Sequence, residues 1–118
     1  MKKLKKIQLS NGTLCNPQIF QYLTKDSRAI FAFSYHKVND YYEIDIEKFP
    51  SFEGRPADSH TIHWLPSPRP SGYKMCFNIG KEPKTLDDAK EYSILYAELV
   101  WFYIRTGVTI DEQLVRRN

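Results

Sequence analysis

Two runs of alternating apolar and polar residues, Ala29 to Val38 and Tyr41 to Phe49, flank Asn39-Asp40. A period of two marks strands with one buried face, and Asn-Asp between them marks a two-residue hairpin turn. With Asn39 and Asp40 at the centre of the turn, Tyr35 falls opposite Ile44 and Phe33 opposite Ile46. His36 then faces Glu43, and Ser34 faces Asp45. Apolar meets apolar on one side and polar meets polar on the other, as a register with one buried face requires. Tyr73 to Ile79 reads as another strand, with Tyr73, Met75, Phe77 and Ile79 on one side and Lys74, Cys76 and Asn78 on the other. His60 to Leu65 reads as a short strand, and Leu4, Ile7 and Leu9 before Ser10-Asn11-Gly12 as a first strand and turn.

The pattern changes period at two places. Asn16 caps and Pro17 suits a first helical position; Ile19, Phe20 and Leu23 then share a face, so residues 17 to about 25 read as a short helix. Thr85, with Asp88 three residues on, opens a second, long helix, and Gly107 closes it in the left-handed position. The expected fold class is therefore α+β. One domain of residues 1–118 holds an antiparallel sheet of four or five strands, a long C-terminal helix packed on one face and a short N-terminal helix. Segments 1–6 and 108–118 are expected to be the least ordered.

The long helix is apolar nearly all round. At about 100° per residue, Leu86, Ala89, Ser93, Tyr96, Ala97, Val100 and Ile104 form one side, where the small residues allow close approach to a sheet. Ile94, Leu95, Glu98, Trp101, Phe102 and Arg105 form the other. Apolar residues laced with charge suit an interface, and large bare apolar patches are rare on monomers. Two antiparallel copies meeting on a two-fold axis near residues 101 and 102 would set Glu98 of one beside Arg105 of the other.

Composition narrows the classes. The 118 residues, 42% hydrophobic and 26% charged, suffice for one globular domain without staples. The eight Tyr and seven Phe favour a contact surface. A net charge of +3 is concentrated at Lys2, Lys3, Lys5, Lys6, Arg116 and Arg117, leaving nucleic acid as an alternative partner. Asp87 and Asp88 make the start of the long helix unsuited to phosphate. The basic start has no apolar stretch behind it, so it is no signal peptide, and no run is long enough to span a membrane. A cytoplasmic protein with reduced Cys15 and Cys76 is expected.

Candidate chemistry is sparse. His60 and His63, three apart on a strand, would point to opposite faces and share no metal ion. Glu43, Asp45 and Glu47 share a face and could hold a divalent ion, but a solvated outer sheet surface is the reading preferred for them. Cys76 lacks any nucleophile motif and suits a buried small apolar side chain. The loop Pro66 to Lys74, stiffened by three prolines, carries Arg69 and Lys74 between Trp64 and Tyr73 and suits a partner-binding loop. As an exposed residue, Arg69 should tolerate truncation at no more than about 0.5 kcal/mol. No catalytic residue, metal or cofactor is expected. The expected function is a small non-enzymatic interaction module, homodimeric through the C-terminal helix. The alternatives are a nucleic-acid-binding module using the termini and the 66–74 loop, and an enzyme of unidentified class.

Overall fold

Phe33 and Tyr35 lie opposite Ile46 and Ile44, and His36 and Ser34 opposite Glu43 and Asp45, as the alternation requires. This hairpin joins β2 (Ile30–Val38) to β3 (Tyr41–Lys48) in the computed structural model, which describes residues 18–78 and 80–117. Asn39 takes the left-handed φ of 57° that the tight turn demands. The other elements are β1 (Ile19–Leu23), α1 (Ser59–Ile62), β4 (Trp64–Pro66), β5 (Tyr73–Met75), α2 (Leu86–Thr106) and α3 (Ile110–Arg117). The strands form one five-stranded antiparallel sheet in the order β1-β2-β3-β5-β4.

The helix expected over 17–25 is instead β1. Phe20 and Tyr22 turn into the core while Gln21 and Leu23 are exposed, a period of two. So short a segment cannot sustain a helix by itself, and the open edge of β2 satisfies its backbone. Asn16 and Pro17 lie outside the described residues, as do Cys15, the first strand and turn expected over 4–12, and Ile79. His60 to Leu65 is also not one strand. The Asp58 carboxylate caps α1 by accepting from the Thr61 N–H at 3.1 Å, and His63 ends it with φ 60°. Regular pairing in the strand expected over 73–79 stops at Met75.

α2 packs across one face of the sheet. The Thr85 hydroxyl accepts from the Asp88 N–H at 3.0 Å, and Gly107 closes the helix with φ 84°. Ala89, Ala97 and Val100 are fully buried against Phe31, Phe33, Ile44 and Ile46. Burying each of the larger side chains contributes about 1.5–3 kcal/mol before entropy is counted. The Phe33 and Tyr96 rings meet edge to face at 6.4 Å, and the Tyr35 and Ser93 hydroxyls bond at 2.8 Å. Burial pushes the Tyr35 phenol up to about 12, against the pull of that bond.

α3 starts with a capping box. Thr109 Oγ1 accepts from the Glu112 N–H, and the Glu112 carboxylate accepts from the Thr109 N–H. Gln113 then donates to the Leu99 carbonyl at 3.0 Å, tying α3 to α2. Among the described residues no helix is long and apolar enough to cross a membrane.

Candidate functional site

The outward side of α2 divides in two. Toward β1, the turn after that strand grips the helix. Thr24 and the Arg28 N–H shape the turn around Asp26, whose other oxygen accepts from Trp101 Nε1 at 2.8 Å. Trp101 is left 5% exposed. The Glu98 carboxylate accepts from the Tyr22 hydroxyl and, at 2.9 Å, from the Lys25 N–H. Burial, then the bond to Glu98, holds Tyr22 protonated well above the usual phenol range. Arg105 lies 3.6 Å from Asp26 and stacks over the half-buried Phe102. Ile94 is half-buried too.

Away from β1, among the described residues, part of the helix is exposed. Leu95 is 42% exposed and Tyr92 38%, and Leu114 of α3 is 40% exposed across a groove of about 490 Å³. Met75, Phe77 and Leu99 line its floor; Cys76, Lys81 and the His63–Asp111 pair, 2.8 Å apart, stand at its polar edge. Cys76 is exposed, not buried, because β5 ends one residue before it.

The 66–74 loop does not present its cations outward. Pro66 pairs with Tyr73, and the Ser67 N–H and Gly72 carbonyl close the turn, so residues 67–72 fold back over the sheet face opposite α2. There Arg69 meets Asp45, which is fully buried rather than part of a solvated surface. Nε reaches Oδ2 at 2.8 Å and Nη2 reaches Oδ1 at 2.9 Å; Nη2 also reaches Glu43 at 2.6 Å. Ser67 and Ser71 donate to the same Asp45 carboxylate, and Lys74 donates to Glu43 at 2.9 Å. Burial pushes the Asp45 carboxyl up, but the bonds from Arg69, Ser71 and Ser67 outweigh it and hold it below the usual range. Glu43 is depressed in the same way, burial opposed by Arg69 and Lys74. Trp64 stacks edge-on against Tyr73 at 4.6 Å and donates to the Ala57 carbonyl at 3.1 Å. Trp64 and Tyr73 therefore buttress the hairpin, while Arg69 and Lys74 are spent inside the chain.

Next to this pair lies a polar chain that sequence reasoning missed. Ser34 Oγ donates to Glu47 at 2.6 Å and contacts His36 Nε2 at 2.8 Å. The serine has one proton and gives it to Glu47, so Nε2 must donate. The same Nε2 lies 3.5 Å from Asp45. Serine and aspartate thus approach one nitrogen, whereas a nucleophilic triad needs them on opposite nitrogens. Burial pushes the His36 imidazole below its usual range, against the pull of Asp45. A cavity of about 460 Å³ opens beside His36, Glu47, Arg69 and Ser71. The signal available in sequence was the shared face of Ser34, His36, Asp45 and Glu47, which the register fixes. His60 and His63 are near neighbours, ring centres 6.5 Å apart, because the segment is a helical turn.

Compared with known families, curated proteins and solved structures, the chain matches none.

Proposed function

We propose that this chain is a small protein-interaction module that self-associates through the outer face of α2. The observation that carries the reading is the exposed apolar surface of Leu95, Tyr92 and Leu114, with half-buried Phe102 two turns along α2 from Leu95. Glu91, Leu95, Glu98, Phe102 and Arg105 are spaced four, three, four and three along α2. That spacing makes one stripe suited to a second helix at a shallow crossing angle.

The occupant we infer is a second copy, on grounds of charge. Because β1 and the turn after it hold Glu98 and Trp101, the two-fold axis lies N-terminal to the residues 101 and 102 expected from sequence. A two-fold midway between Leu95 and Phe102 sets Leu95 of one protomer against Phe102 of its partner, and Arg105 against Glu91. Glu98, near the axis, is turned aside onto Tyr22 and Lys25. Helix dipoles run antiparallel in this pairing. So few anchors suit a weak dimer, with a Kd of about 1–100 µM.

The experiment is Leu95→Glu, followed by sedimentation equilibrium and circular dichroism. Leu95 is exposed, so the variant should fold as the parent does. A folded monomer from a dimeric parent supports the reading; a parent that is monomeric throughout this concentration range refutes it.

A further inference from the structure

We propose that His36, Asp45 and Glu47 form a binding site for a first-row divalent transition metal on the sheet face opposite α2. One ligand atom from each, the imidazole nitrogen and two carboxylate oxygens, all lie within 4.8 Å of one another. Ligands about 2.0–2.2 Å from one ion must stand no farther apart than about twice that distance, so small side-chain shifts suffice.

The backbone accounts for the convergence. Ser34 and His36 alternate on β2, and Asp45 lies opposite Ser34 on β3. In a regular ladder Glu47 would sit one pair farther along, away from His36. Phe33 instead pairs with Ile46 and Ala32 with Lys48, so Glu47 is the extra residue of a bulge. Bulges re-aim side chains, and here the Glu47 carboxylate turns onto Ser34, toward His36.

The chemistry of the donor set selects the ion. One imidazole with two carboxylates suits zinc, manganese or ferrous iron, whereas calcium and magnesium prefer oxygen alone. A metal takes the imidazole in its neutral form. Binding needs the Nε2 proton to move to Nδ1. It also needs a free position on Asp45 Oδ2, which now accepts from Arg69 and Ser71. Ser71 can release it, because its hydroxyl already lies 3.2 Å from the Tyr73 carbonyl. Arg69 and Ser67 remain as outer donors that fix the carboxylate, the usual support of a metal-bound aspartate.

The guanidinium beside Asp45 repels a cation. Glu43, Asp45 and Glu47 nevertheless set three carboxylates against the two cations Arg69 and Lys74. A dication meets a local charge of the favourable sign. Three protein ligands are one short of tetrahedral closure, and the adjoining cavity leaves room for water or a small ligand in the fourth place.

The inference does not rest on self-association, since the site and the α2 stripe lie on opposite sides of the sheet. The test is zinc titration of the full chain, stripped with EDTA, by calorimetry. One equivalent should bind, and His36→Ala and Glu47→Gln should each weaken binding at least tenfold, while His63→Ala should not. Manganese added to the unaltered, isotope-labelled protein gives a second reading that needs no variant. Its paramagnetism should broaden the amide signals of residues 34–36 and 45–47 first. No saturable zinc binding below about 1 mM would overturn the proposal. So would binding that ignores His36 and Glu47, or broadening centred elsewhere.

Discussion

Replacing Arg69 by alanine tests the loop most sharply. Asp45 is fully buried, and Arg69 supplies its counter-charge in a two-pronged bond. After the substitution the carboxylate keeps the hydroxyls of Ser67 and Ser71 but loses its counter-charge. Removing one member of a buried pair costs about 3–5 kcal/mol. The Arg69 side chain is 23% exposed, and water can enter from the neighbouring cavity, so the lower end applies. We expect a loss of about 3 kcal/mol, or roughly 10 °C in melting temperature for a domain of this size. Urea unfolding should show a lower midpoint at unchanged slope. The double variant Arg69→Ala/Asp45→Ala should lose less than the two single losses added together, because the stranded charge is gone. A cost below about 0.5 kcal/mol, that of a free surface side chain, would show that buried Asp45 does not depend on Arg69.

The same pair sets an acid limit, with a sign that follows from linkage. Asp45 and Glu43 are depressed in the folded protein. Their contribution is therefore full above the unfolded values of about 4 and is lost as pH falls through the folded ones. Stability of the parent should fall below about pH 4, and the gap between parent and Arg69→Ala should narrow there; a constant gap down to pH 2 contradicts the assignment. Thr85→Ala removes the cap of α2 and should cost about 1 kcal/mol by urea unfolding. Gly107→Ala places a Cβ 2.9 Å from Arg55 Nη1 at a φ of 84°. It should cost about 1 kcal/mol or more, and an unchanged midpoint would contradict the strain.

The β2–β3 register and both ends of α2 were legible in sequence, since each depends on local chemistry. The register follows from alternation across Asn39-Asp40, and the helix ends follow from Thr85 and Gly107. Residues 19–23 misled because Ile19, Phe20 and Leu23 fit a helical face as well as Phe20 and Tyr22 fit a strand. Only the edge of β2 decides between them. Asp58 with Thr61 was the overlooked signal for α1, and Thr109 with Glu112 for α3. The Asp45–Arg69 pair was not legible. Its partners stand 24 residues apart, and whether the outer sheet face meets water depends on how the 67–72 turn folds back. Trp101 was likewise hidden, since its cover comes from Asp26 across the fold.

The stripe on α2 has one arrangement of charge to defend. In an antiparallel pair, Arg105 of each protomer lies beside Glu91 of its partner, so reversing either charge sets like against like twice. The most direct measurement is the sedimentation-equilibrium mass of the parent, of Glu91→Arg, of Arg105→Glu, and of both changes together. Association toward twice the chain mass of 13.9 kDa is expected for the parent and for the double reversal, with each single reversal shifted toward monomer. A parent that stays at the single-chain mass, or single reversals that associate as well as the parent does, would contradict it.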